Sequence, residues 1–137
     1  MHDNRIFLDS NVMIYAYFNQ DDRKQRISRD LIAQNSYIST QVLQELTNTL
    51  RRKVKVDYDI IRPLLQECQR NCNLHVNTPD TIFSALDIAE RYGFSFYDSL
   101  IVASALESKC AILYSEDMHH NQHIGHLVIR NPFIEEE

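Results

Sequence analysis

Short apolar runs separated by longer stretches of helical period constrain this chain more than any other feature. Ile6-Phe7-Leu8, Tyr37-Ile38-Ser39, Leu74-His75-Val76, Ala111-Ile112-Leu113-Tyr114 and Leu127-Val128-Ile129 each read as a strand. Between them lie segments with apolar residues at helical spacing. Asn11 to Phe18 and the charged stretch Asp21 to Asn35 read as two helices. Thr40 is placed to cap a helix running to about Val54 with Val42, Leu43, Leu46 and Leu50 inward, and Asp57 to cap the next, in which Pro63 predicts a kink. Thr78-Pro79 opens a helix that Gly93 closes, and Ser95 opens the last one. Strands alternating with helices predict an α/β fold with a mostly parallel central sheet of four to five strands.

A chain of 137 residues fits a single domain spanning residues 1–137. Hydrophobic residues at 44% and charged residues at 24% are the balance of a soluble globular protein. No apolar run reaches the ~20 residues that span a bilayer. The start, Met1-His2-Asp3-Asn4-Arg5, lacks the layout of a secretory signal. Cys68, Cys72 and Cys110 form no zinc-type pairs, so reduced thiols in a cytoplasm are the expectation. With two glycines and neither GxGxxG nor GxxxxGK[ST], dinucleotide and P-loop sites are disfavoured. A net charge of −5 argues mildly against non-specific nucleic-acid binding. That objection weakens if several acids converge on divalent cations, which reverse the local sign.

Ligands of open α/β sheets sit beyond the carboxyl ends of the strands. Asp9 follows the first strand directly, and Glu116 and Asp117 follow the fourth. An acid there also reads as a turn residue, and Asp9 is placed to cap the helix beginning near Asn11. Glu45 borders the apolar stripe of its helix, where it either snorkels outward or reaches across to the strand ends. Asp98 completes a Ser95-x-x-Asp98 pattern resembling a capping box, but it also shares a helical face with Ile101, Val102 and Ala105. A charge on that face is costly without a partner, and a cation would be one.

If these acids converge, repulsion dominates the site. Two carboxylates ~4 Å apart at an effective dielectric of ~20 repel by about 4 kcal/mol. A divalent cation removes the conflict, and oxygen-only ligation favours Mg²⁺ or Mn²⁺ over zinc. Such a centre suits phosphodiester hydrolysis, with one metal activating water and a second, if present, stabilising the departing oxygen. Asp9 and Asp98 are then the principal ligands. Glu45 and Asp117 ligate a second ion or orient water, and Asn11 and Ser115 are hydrogen-bond donors beside them.

Phe7-Leu8-Asp9-Ser10-Asn11, the interior Glu45, Phe96-Tyr97-Asp98-Ser99-Leu100-Ile101-Val102-Ala103 and Tyr114-Ser115-Glu116-Asp117-Met118 resemble the PIN-domain family in order and spacing. The closing Ile129-Arg130-Asn131-Pro132-Phe133 is similar to the end of many bacterial members. The resemblance covers essentially the whole chain. It implies a three-layer α/β/α sandwich and a Mg²⁺-dependent ribonuclease acting on RNA. For a chain of this size it most often implies the toxin of a VapBC-type toxin–antitoxin pair. It also implies a homodimer, and an antitoxin that blocks the acidic site. Asp9, Glu45, Asp98 and Asp117 match the family's acidic positions, and the usual Ser/Thr-x-Asp pattern selects Asp117, leaving Glu116 as an accessory. The loop His119-His120-Asn121-Gln122-His123 stands where related sequences often carry glycine.

Other features carry less. His119, His120, His123 and His126 suggest a transition-metal site by count, but solvated loop histidines are commoner. Arg51-Arg52-Lys53 with Lys55 either tracks a nucleic-acid backbone or complements the negative end of the preceding helix, and Arg23, Lys24, Arg26 and Arg29 pose the same choice. Cys68 and Cys72 read as packing residues. A haloacid-dehalogenase-type phosphatase would need Asp-x-Asp where Asp9-Ser10-Asn11 stand. A receiver domain would need an acid where Asn77-Thr78-Pro79 stand. Two further alternatives are a PIN-fold protein of RNA processing outside a toxin–antitoxin pair and a non-catalytic binding module. The module's usual signature is a lost acid, and none is missing.

Overall fold

In the computed structural model, which describes residues 4–18 and 20–134, six strands join one sheet. They are β1 (Ile6–Leu8), β2 (Ser36–Ser39), β3 (Asn73–His75), β4 (Ile112–Tyr114), β5 (His123–Ile124) and β6 (Leu127–Arg130). Their order is β3-β2-β1-β4-β6-β5, and every pairing is parallel except β5 with β6. The sheet thus has one strand more than the four to five expected. The extra strand, β5, is two residues long and pairs through a tight hairpin whose Gly125 takes φ 58. Glycine supplies that left-handed turn without strain, and so short a segment leaves no apolar run to read.

Six α-helices connect the strands: α1 (Ser10–Tyr17), α2 (Asp22–Ile32), α3 (Thr40–Thr49), α4 (Tyr58–Asn71), α5 (Pro79–Tyr92) and α6 (Phe96–Glu107). The predicted helix to Val54 is α3 continued by a π-helical turn, Leu50–Val54, which ends at Lys55 in the left-handed conformation. Ser39, not Thr40, caps α3 by accepting from the Val42 N–H (3.3 Å). The Thr40 hydroxyl instead accepts from the Asn77 N–H at 3.2 Å. Asp57 makes no side-chain capping bond to α4 and lies 3.7 Å from Arg51. Gly93 closes α5 at φ 78, where a left-handed residue ends the helix. The amino-terminal Met1-His2-Asp3 and the acidic Glu135-Glu136-Glu137 lie outside the described residues.

The chain winds β1, β2, β3 in one direction and then returns past β1 to β4. Right-handed crossovers put α1 to α4 on one face during the outward run and α5 with α6 on the other during the return. The result is a three-layer α/β/α sandwich. Phe7, Leu8, Leu113 and Ile129 of the sheet are fully buried, as are Val42, Leu46 and Leu50 of α3 and its π turn. Residues Ser99 to Ala105 of α6 are buried on all sides, the pattern of a helix enclosed within a core. Among the described residues no helix is long and apolar enough to cross a membrane. Leu113 lies at the centre of the sheet, so Leu113→Ala lowers unfolding free energy by about 2–5 kcal/mol in urea denaturation. A loss below about 1 kcal/mol would contradict this placement of the core.

Candidate active site

The strand order reverses between β1 and β4, and the carboxyl edge at that switch point is where open α/β sheets hold ligands. The register pairs Leu8 with Tyr114, so the next residues, Asp9 and Ser115, meet across the same edge. The Asp9 N–H donates to Tyr114 O (3.0 Å), and the Ser115 hydroxyl donates to Asp9 Oδ2 (2.8 Å). Asp9 is also the N-cap of α1, its Oδ1 accepting from the Ser10 N–H at 2.7 Å. The carboxylate is 6% exposed, and both of its oxygens are held.

Glu45 of α3 and Asp98 in the first turn of α6 are the charges that act on Asp9. Burial pushes the Asp9 carboxyl up to about 6, opposed by the bonds from Ser115 and Ser10 and reinforced by repulsion from Glu45 and Asp98. Burial also raises Glu45, and repulsion from Asp98 adds to the rise. The side chains of Gln41 and Ser10, which hydrogen-bond that carboxylate, pull it down. Asp98 is partly exposed in the first turn of α6. Ser95 Oγ accepts from the Asp98 N–H (3.2 Å), but the reciprocal bond of a capping box is not made.

Asp117 joins the group through two bridges. Its N–H donates to the Ser115 hydroxyl (3.4 Å), and Asn11 Nδ2 donates to its Oδ2 (3.2 Å). Asp98 and Asp117 together line a cleft of about 310 Å³ with Ser95, His119 and Gln122. A larger cleft of about 680 Å³ lies away from these acids, between the ends of α1, α2 and α4. Glu116 is differently employed, because its two carboxylate oxygens accept from Tyr15 and Lys24. The four acids therefore come from four separate segments to one sheet edge, with Glu116 turned to another task.

Sequence reasoning missed Gln41. Its amide donates one N–H to Glu45 Oε2 (3.3 Å) and another to Tyr97 O (3.0 Å), so it ties the Glu45 helix to the turn that carries Asp98. The readable signal was its position one turn before Glu45. The converging donors are all oxygen, which suits a hard divalent cation. Among the described residues no three His, Cys, Asp or Glu side chains are gathered closely enough to hold an ion alone. Magnesium keeps several waters in its shell, so such a donor set still fits it.

His120, Arg51 and the cysteines Cys68 and Cys72 are engaged away from the acids. His120 Nδ1 accepts from the Asn131 N–H at 2.9 Å. The Arg51 guanidinium lies 4.8 Å from the Tyr58 ring centroid and 3.7 Å from Asp57. Burial raises both thiols of Cys68 and Cys72, the first to about 12, which leaves them inert packing groups.

A PIN-domain family model matches residues 6–123. No curated protein sequence matches the chain. Among solved structures, a toxin–antitoxin complex from Klebsiella pneumoniae aligns with a TM-score of 0.71 and 15% identity over 93% of this chain and 98% of that one. FitAcB from Neisseria gonorrhoeae aligns at 0.66 and 18% over the same shares, 93% and 98%. The Mycobacterium tuberculosis toxin VapC20, described as cleaving the sarcin–ricin loop, aligns at 0.64 and 18% over 79% and 86%.

A raised acid pKa means the folded state binds a proton more tightly than the unfolded chain. Stability present at low pH is therefore lost as pH rises from about 4 through about 6. In metal-free buffer at pH 8, Asp9→Asn raises stability by on the order of 2 kcal/mol, and the gain shrinks as pH falls toward 5. Melting curves of both proteins across pH check this. An unchanged or lower midpoint for the variant at pH 8 would count against a destabilising charge at Asp9.

Proposed function

This chain belongs to the PIN-domain family, and on that premise we propose that it is a Mg²⁺-dependent endoribonuclease, with Mn²⁺ able to substitute, that serves as the toxin of a type II toxin–antitoxin pair. The observation that carries the reading is the delivery of Asp9, Glu45, Asp98 and Asp117 from four segments to the switch point of the sheet.

Asp9 and Asp98 are the principal ligands in this reading, with Glu45 and Asp117 ligating beside them or orienting water. When bound, the cation supplies a water of lowered pKa and neutralises charge developing on the phosphate. The protein contributes positioning. Ser115 and the Ser10 N–H fix the rotamer of Asp9, Gln41 fixes Glu45, and Asn11 fixes Asp117. Carboxylates so restrained lose little freedom on binding the ion, and their mutual repulsion becomes affinity for it. The cation also answers the negative balance of the chain, since a phosphate approaches a metal-bearing edge and not a bare acidic one.

An antitoxin partner is supported by the Klebsiella pneumoniae neighbour, which is a toxin–antitoxin complex. A homodimer is supported by the exposed apolar residues Ile82, Phe83 and Leu86 of α5, of which Phe83 is 65% exposed. A cytoplasmic location suits the buried thiols of Cys68 and Cys72. A binding module without catalysis is the second reading, and metal dependence separates the two.

RNA cleavage by wild type, Asp9→Asn and Asp98→Asn, with Mn²⁺ and with EDTA, tests the reading. Wild type cuts only with metal, and both variants lose at least about a hundredfold. Cutting by wild type in EDTA, or undiminished cutting by either variant, would overturn the assignment. Mg²⁺ or Mn²⁺ also raises the melting midpoint of wild type, because a ligand selective for the folded state must do so. No shift with either metal would favour the binding module.

A further inference from the structure

Glu116 stands between two residues of the acidic edge, yet each of its polar groups is committed. Its N–H donates to Asn11 Oδ1 (3.3 Å), and its carbonyl accepts from Asn131 Nδ2 (3.4 Å). Its carboxylate accepts from the Tyr15 hydroxyl (2.9 Å) and pairs with the Lys24 ammonium. That ammonium lies 4.8 Å from the Tyr15 ring centroid and 5.3 Å from that of Phe133, so two aromatic faces confine it. The rings themselves meet edge-on at 5.1 Å.

The Asn131-Pro132-Phe133 ending builds the outer wall of this arrangement. Asn131 Oδ1 accepts from the Phe133 N–H (2.9 Å), and Arg23 of α2 donates to Phe133 O (3.0 Å). Lys24 and Glu116 side chains are 26% and 24% exposed, so the pair is partly withdrawn from water and more than a surface ion pair. We propose that Lys24, itself packed against Tyr15 and Phe133, is a positioning residue: by pairing with Glu116 beside Tyr15, it fixes the 115–117 loop so that Asp117 faces the other acids. The inference deepens the nuclease reading and rests on Asp117 being one of its acids. It assigns Lys24 a task through Glu116 and not through contact with RNA. Without Lys24, an additional uncompensated carboxylate stands one residue from the acidic edge, and the loop loses its anchor on α2.

The test compares wild type, Lys24→Met, Lys24→Arg, Glu116→Gln and the Lys24→Met/Glu116→Gln double variant. Amide hydrogen exchange in metal-free protein reads the loop directly. Lys24→Met speeds exchange at Glu116 and Asp117 by about tenfold while Leu113 in the core is unchanged. Mn²⁺ affinity, followed by melting midpoint, falls about tenfold, and kcat for RNA falls similarly with KM within about twofold. Lys24→Arg restores most of the loss, and the double variant is no worse than Lys24→Met alone. Unchanged loop exchange in Lys24→Met would overturn the proposal, as would a defect confined to KM, which would mean that Lys24 binds RNA. Losses from Lys24→Met and Glu116→Gln that simply add in the double variant would overturn it too, since the two side chains would then act independently. Faster loop exchange with intact Mn²⁺ affinity and kcat would instead show a real clamp on a loop whose Asp117 is not a site acid.

Discussion

The structure turns on a carboxylate that is buried where a charge is least welcome. Asp9 ends the central strand β1, is 6% exposed, and faces Glu45 and Asp98 from two different helices. Two hydrogen bonds moderate its cost without removing it, and its carboxyl is pushed up to about 6. A core that retains such a group at its sheet edge gives up stability in the free protein. The compensation available is a cation shared with the neighbouring acids.

The rest of the edge is organised around that constraint. Ser115 bonds Asp9 and accepts from the Asp117 N–H, so a single hydroxyl links the ends of β1 and β4. Gln41 joins the Glu45 helix to the turn before Asp98, and Asn11 joins α1 to the loop bearing Asp117. The bonds from Ser115 to Asp9, from Gln41 to Tyr97 and from Asn11 to the 116–117 loop join separate segments. They are the class of support that sets ligand orientation in a metal centre.

The strands and the acids that end them were legible because an apolar run followed by a charge is a local pattern. Asp9 and the places of β1, β2, β3, β4 and β6 along the chain follow from it. Smaller features were not. Adjacent hydroxyls at Ser39 and Thr40 compete for one cap, and only the backbone decides. The π turn at Leu50–Val54 and the two-residue β5 have no periodic signature. The pair Glu116-Asp117 was ambiguous because adjacent acids look alike in sequence. What separates them is Lys24, 92 positions away, which engages one and leaves the other beside Asn11. Gln41 escaped notice because a glutamine on a helix reads as solvated, and this one is 3% exposed.

The central claim is that these acids share a cation. Crystals grown with Mn²⁺ and measured for anomalous scattering test it most directly. The account predicts a strong peak bounded by Asp9 and Asp98, with Glu45 and Asp117 beside it. A peak only at the histidine loop, or no peak at the carboxyl edge of β1 and β4 at saturating Mn²⁺, would contradict it.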